Sequence, residues 1–301
     1  MIKYLIIILI TFAQATLNAE YLDPGALGTS ASTIGNANIQ GFAKTATTIF
    51  ENPAGLYRIK SFSIEAFNTK LMKEVTHTNI AIAFNSIIGN VGLGYIDSRI
   101  SNIFNTDLDV FDEIYTKSTF GYNSSILYFS HEVEQKGFVY GYSLKYYMMN
   151  MGSYSGHALN ADFGILFNSF RDMEISLCAK NVLPGSPYRY SSDDYEVIPM
   201  QLIAGIKKHI FDIDILSQVQ AKNTSNANLT KHFALNYTPG IMPFFSIFGG
   251  WKEYFILSNK HTGITWGVKL NISALELSYA SEATEYYEEK NNNYFSLAIN
   301  F

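Results

Sequence analysis

The chain has 301 residues and a net charge of −5, and only 16% of its residues are charged. Soluble domains carry roughly 25% charged residues, and a nucleic-acid surface needs clustered Lys and Arg, so neither an ordinary soluble globule nor a nucleic-acid partner fits. With 48% hydrophobic residues, 22 Phe and 21 Tyr, the composition is that of a strand-rich protein.

The chain starts with one early cation, Lys3, followed by an apolar stretch over 4–12 and small residues at Ala13, Ala15 and Ala19. This order predicts a secretory signal peptide over 1–19, cleaved after Ala19 or after Ala15, and the apolar part is shorter than the roughly 20 residues of a spanning helix. The single cysteine, Cys178, rules out an internal disulfide framework.

Residues 20–60 are rich in Gly, Ala, Ser, Thr and Asn and lack the alternation of strands. Within them stand "GALG", with Gly25 and Gly28, and "ENPAGL", with Asn52, Pro53, Ala54, Gly55 and Leu56. Pro53 fixes φ and has no amide donor, while Asn52 before it is pushed towards extended geometry and caps or turns with its side chain. Ala54 and Gly55 then allow close approach to a neighbouring wall. A rigid packed turn is expected here, with an ordinary turn into a strand as the alternative. Asn36, Asn38 and Gln40 are candidates to hydrogen-bond to polar lumen residues such as Lys145, Lys269 and Glu276.

From residue 61 onward, stretches of about ten residues alternate apolar and polar side chains. Strands are predicted over 61–71, 78–87, 90–97, 124–132, 138–149, 157–168, 173–181, 200–208, 211–220, 231–237, 244–252, 263–270, 273–280 and 294–301. In "FVYGYSLKYYM", Phe138, Tyr142, Leu144 and Tyr146 share one face, and Val139, Ser143 and Lys145 the other. In "GITWGVKL" and "SALELSYA", rings and leucines oppose Lys269 and Glu276. Charges facing in and rings facing out invert a soluble sandwich. They predict an all-β fold, a closed antiparallel transmembrane β-barrel of about 14 strands over 61–301, with 20–60 as an N-terminal plug segment.

The connections alternate. Linkers 98–123, 150–156, 182–199, 221–230, 253–262 and 281–293 are long, and those between them are short. Short turns at one end and long loops at the other are the habit of outer-membrane barrels. The connection 72–77 breaks this rhythm, being brief where a long loop is due. The long linkers are acidic, with Asp107, Asp109, Asp112, Glu113, Asp193, Asp194, Glu285, Glu288 and Glu289 among their residues, as solvated loop tips are.

The last strand places Phe295, Leu297, Ile299 and Phe301 on one face and Tyr294, Ser296, Ala298 and Asn300 on the other. Closing onto the first strand would bury that stripe in lipid and leave no edge unpaired. A secreted β-sandwich edge is the alternative. Histidines 77, 131, 157, 209, 232 and 261 show no metal-ligand spacing, and no glycine-rich phosphate loop precedes a helix. The expectation is therefore no catalytic residue, no metal and no cofactor.

With "GALG", then "ENPAGL" just before the first strand, this strand count and a terminal aromatic, the sequence resembles the FadL-like and PorV-like bacterial outer-membrane barrels. The terminal Phe295, Leu297, Ile299 and Phe301 also resemble the signal read by the outer-membrane barrel assembly machinery. The resemblance implies a bacterial outer-membrane location, a plug in or under the barrel carrying the Asn-Pro-Ala motif, and outer-membrane lipids and that machinery as partners. It leaves three roles: passive uptake of hydrophobic small molecules, a PorV-like component handling secreted proteins in a type IX secretion system, or an architectural barrel.

Overall fold

The computed structural model describes residues 23–135, 138–169, 172–183, 187–192, 195–223, 228–256, 259–283 and 291–301. The predicted signal peptide and loop residues Asp193, Asp194, Glu285, Glu288 and Glu289 lie outside them.

In chain order the strands are β1 (Phe62–Leu71), β2 (Val75–Ser86), β3 (Gly89–Leu108), β4 (Ile114–Gln135), β5 (Phe138–Met151), β6 (Tyr154–Ser169), β7 (Met173–Lys180), β8 (Tyr188–Tyr190), β9 (Tyr195–Glu196), β10 (Gln201–Ile210), β11 (Ile213–Lys222), β12 (Asn228–Tyr237), β13 (Phe245–Ile256), β14 (Asn259–Ile272), β15 (Leu275–Ala283) and β16 (Asn291–Asn300). Short β8 and β9 form a hairpin laid on β6. The other fourteen strands pair antiparallel in one ring, closed by β1 against β16 and by β5 against β6. The first seam runs from Ser63↔Asn300 to Asn68↔Phe295, and Phe301 and Phe62 exchange backbone hydrogen bonds at its end.

Faces alternate as the sequence predicts. In β5, Ser143, Lys145 and Tyr147 are buried while Tyr142, Leu144 and Tyr146 are exposed. In β16, Tyr294, Ser296 and Ala298 are buried, Phe295 and Leu297 are exposed and Ile299 is half-buried, and Phe301 just beyond the strand is exposed. Exposed leucines and rings on the outside and buried Lys145, Lys180 and Lys207 on the inside are the arrangement that lipid outside and a polar lumen require.

The expected strand interiors are found, but three of the expected long loops are largely strand. The 98–123 linker is a continuation of β3 and β4, which run 20 and 22 residues. Two register shifts, at Ile100/Ile103 and Asn105/Thr106, break its period-two pattern, and Asn102 takes a positive φ of 60°. Linkers 150–156 and 253–262 shrink likewise, because β5 to β6 and β13 to β14 pair almost to their turns.

Candidate functional site: the N-terminal segment and the cavities it divides

Residues 23–60 fold as short helical turns against the inward faces of the strands. Asp23 accepts from the Gly25 amide at the turn Pro24–Leu27, and Gly28 leaves it at φ 120°, a backbone state that suits glycine. Helix Ala31–Gly35 is capped by Ser30, whose hydroxyl accepts from the Thr33 amide at 3.1 Å. The Ala31 amide donates to the Ser296 hydroxyl and the Ala37 amide to the Thr265 hydroxyl, at 2.7 and 3.1 Å, so wall side chains take the place of missing backbone partners.

The "NPAGL" turn is fixed to the wall on the opposite side. Asn52 accepts from the Ala54 amide at 3.1 Å and donates to the Ser176 hydroxyl at 2.8 Å and the Leu177 carbonyl at 3.2 Å. Pro53 opens a 3-10 turn, Pro53–Arg58, and residues 52–56 are buried. The close approach comes from wall glycines as much as from Ala54 and Gly55. A Cβ on Gly141 would stand 2.5 Å from the Pro53 and Ala54 backbone, and one on Gly164 would overlap Asn52. The space at Gly55 serves the segment's own packing, against Thr48.

Two carboxyl groups, Glu51 and Glu174, hold the segment together and to the wall. Glu51, 1% exposed, accepts from the Thr29 hydroxyl at 3.0 Å, the Thr33 hydroxyl and the Gly41 amide at 2.9 Å, tying three stretches of the segment to one carboxyl group. Burial raises its pKa above the ordinary carboxylate value. Arg58 donates to Glu174 of β7, which also takes an ion pair from Lys207 of β10 at 2.8 Å. Sequence reasoning singled out neither Glu51 nor Glu174. Glu51 stood in the quoted "ENPAGL", but nothing in the string shows which carboxylate becomes buried.

Lys145 lines the same cavity as Asn38 and Gln40, and Lys269 and Glu276 the same cavity as Asn36, but the bonds that form are not the ones expected between them. Lys145 forms an ion pair with Asp162 at 2.6 Å and donates to Asn181. Lys269 and Glu276 approach each other at 3.7 Å. The Gln40 side chain instead accepts from Lys180 at 2.7 Å and its amide donates to Gln218, the Asn38 carbonyl accepts from Gln218, and Asn36 bonds back to its own helix at Ser32. Strand register, not alternation, chooses these partners.

The segment lies between two cavities. A vestibule of about 610 Å³ at the loop end is lined by Leu27, Gln40, Lys180, His232, Tyr254 and Tyr294, among others. A polar cavity of about 310 Å³ at the terminus end is lined by Ser32, Thr33, Lys44, Lys207, Lys269 and Glu276, among others. The two share no lining residue. On the outer wall, across β2 to β6, lies a groove of about 500 Å³ lined mainly by Ile80, Leu93, Leu127, Phe129, Leu144 and Leu159. Groove and vestibule have Tyr128 and Lys145 in common, which are cross-strand partners on β4 and β5. The Tyr128 ring stands edge-on to Phe50 of the segment, centroids 5.0 Å apart.

Most histidines have local partners. His77 bonds Ser98 and the Gly28 carbonyl, His131 the Ile88 carbonyl, His232 the Ala37 carbonyl and His209 Asp214. Cys178 is buried in β7, facing the lumen side of the wall.

No family model matches the sequence, and no curated protein is detectably similar to it. Solved structures are similar in fold. The Pseudomonas putida toluene transporter TodX aligns over 91% of this chain and 99% of its own, with a TM-score of 0.63 at 8% identity. A TodX deltaS2S3 mutant described as a monoaromatic hydrocarbon channel aligns over 91% and 99% with a TM-score of 0.59 at 8% identity. A Pseudomonas aeruginosa FadL homologue aligns over 90% and 97% with a TM-score of 0.56 at 7% identity. At these identities the likeness is one of fold.

Proposed function

We propose that this chain is a FadL-like barrel of the bacterial outer membrane that passes hydrophobic small molecules, its segment 20–60 acting as a plug and its signal peptide removed on export. The observation that carries this reading is the shared seam. An apolar groove on the outer wall and the loop-end vestibule flank the Tyr128–Lys145 pair from either side, while the segment stands between the vestibule and the terminus end. In this proposal the segment bars the axial path, and an apolar molecule leaves sideways through the wall at the Tyr128–Lys145 pair.

The plug roles of Gly25, Gly28 and Asn52 to Leu56, and the assembly role of the terminal strand, belong to this proposal. The fold likeness to a toluene transporter supports it and makes toluene the natural probe. Cells exporting the chain should take up toluene faster than cells exporting an unrelated barrel. The pair Phe129→Cys and Leu144→Cys, neighbours across the β4–β5 seam, should slow uptake when oxidised and restore it when reduced. No difference from the control barrel would refute the transport reading. Uptake indifferent to the cross-link would refute the route.

A further inference from the structure

The brief connection that broke the loop rhythm leaves an uncovered edge. β2 begins only at Val75, paired with Ile100, after the chain turns back from β1 through 72–74. β3 runs on past a bulge at 101–102 to Leu108, so residues 103–108 pair with β4 on one side and, among the described residues, with nothing on the other. A spanning strand needs about 9–11 residues, which 89–100 already supply. The remaining eight residues carry the ribbon roughly 25 Å further, at about 3.3 Å per residue.

This ribbon is unusual for a solvent-facing hairpin. Phe104 is 66%, Val110 93%, Phe111 79% and Ile114 77% exposed, away from the lipid band. Asp107, Asp109, Asp112 and Glu113 crowd the same tip, and Lys117, paired with Asp107 at 3.0 Å, is the one cation among residues 103–120. The two edges differ. β4 is interrupted at the Asn105/Thr106 shift, where an extra residue sits opposite β3, whereas β3 from Ile103 to Leu108 follows consecutive positions. Bulges and lysines are the usual guards of a strand edge; along 103–108 both fall on the β4 side, and the bulge on β3 at 101–102 lies below the ledge.

We infer that the open β3 edge, Ile103 to Leu108, is a docking ledge for an extended, apolar and basic segment of a protein partner, added as a further strand above the β1–β2 turn. Backbone pairing gives such an addition its affinity and the side chains give it selectivity. The charge selects the occupant. A second copy would bring an equally acidic tip against this one, and anionic lipid headgroups would be repelled in the same way, whereas basic residues on the incoming strand complement the carboxylates. Met72, 63% exposed on the turn below the ledge, also lines the vestibule, so an occupant would sit beside the vestibule's mouth.

The test uses the full chain in phosphatidylcholine nanodiscs and a labelled short peptide alternating valine and lysine. It should bind at least tenfold tighter than its glutamate counterpart and than its fully N-methylated version, which keeps the charge and loses the backbone donors. Amide hydrogen exchange should slow over 103–108, and the combined Asp107→Asn, Asp109→Asn, Asp112→Asn, Glu113→Gln chain should lose at least threefold in affinity. Equal binding of the lysine and glutamate peptides, or indifference to N-methylation, would overturn the inference. So would protection of 103–108 without peptide, whether it grows with protein concentration (a second copy) or with anionic lipid (the membrane surface).

Discussion

Replacing Glu51 tests whether one buried carboxyl group holds the N-terminal segment in place. Glu51→Ala leaves the Thr29 and Thr33 hydroxyls and the Gly41 amide without their acceptor, in a site where all are buried. At about 1 kcal/mol net for each hydrogen bond, plus about 1 kcal/mol for the space left, the docked state should lose about 3–4 kcal/mol. That is more than a hundredfold in the docking equilibrium. Glu51→Gln keeps an acceptor for the two threonines but turns a donor towards the Gly41 amide, so its cost at neutral pH should be about 1 kcal/mol.

The pH dependence has a definite sign. Because burial raises the Glu51 pKa, the docked segment binds that proton more tightly than the free chain does. Docking is strongest below the ordinary carboxylate value of about 4.3 and weakens as pH rises through the elevated range. Glu51→Gln should remove this share of the dependence, leaving whatever Glu65, His77 and His232 contribute through their bonds to Thr45, Gly28 and Ala37. Limited proteolysis of segment 23–60 in the assembled barrel, read as cleavage rate against pH, measures both effects. A Glu51→Ala segment as protected as the native one, with heat-modifiable migration unchanged, would refute the reasoning.

Two other predictions concern the wall. Leu277→Arg and Val268→Arg point to lipid, and because arginine costs roughly 2–4 kcal/mol at the midplane but only about 0–1 near an interface, Val268→Arg, further from the β14–β15 turn, should cost more than Leu277→Arg, whereas Glu276→Gln and Lys269→Gln, a loose 3.7 Å pair, should change assembly little. Refolding yield into vesicles separates the sets, and equal damage would invert the assignment of faces. Gly141→Val should put side-chain atoms into the Pro53–Ala54 backbone, which cannot yield as a side chain would. The expected loss is about 1–3 kcal/mol of segment docking, seen as faster proteolysis of 23–60, and unchanged protection would contradict the close approach.

The barrel was legible because lipid outside and polar side chains inside force a period of two that survives in a single sequence. Lys145, Lys269 and Glu276 were assigned to the inner face on that signal alone. Their partners were not, since Lys145 reaches Asp162 and Asn181 through the register of β5 on β6, and register depends on how the whole ring closes. The long β3–β4 ribbon was missed for a local reason: the extra residues near Asn102 and Lys117 reset the alternation just where it would have revealed strands. In the N-terminal segment the motif showed that Pro53 would make a stiff turn. Gly141 and Gly164, which admit that turn to the wall, lie far along the chain and look like ordinary strand glycines.

Deleting 20–45 examines the plug reading itself. The ring is held by hydrogen bonds between neighbouring strands, the β1–β16 seam included, and none of these passes through the deleted residues. The truncated chain should therefore assemble and migrate heat-modifiably. It would lose helix Ala31–Gly35, which covers the inner faces of β14 to β16, together with Thr29, Thr33 and Gly41, the partners of Glu51. Glu51 would then be a buried carboxyl group without donors, which favours movement of the remaining 46–60 stretch towards water. Vestibule and terminus-end cavity, now lined by separate sets of residues, would join into one polar path, because the side chains left facing it include Lys180, Lys207, Lys252 and Lys269. Liposomes carrying the truncated barrel should swell in small hydrophilic solutes while those carrying the full mature chain should not. Equal and near-zero swelling, with the truncated barrel shown to be assembled, would mean that the segment does not close the lumen and that water is excluded by the strands' own side chains.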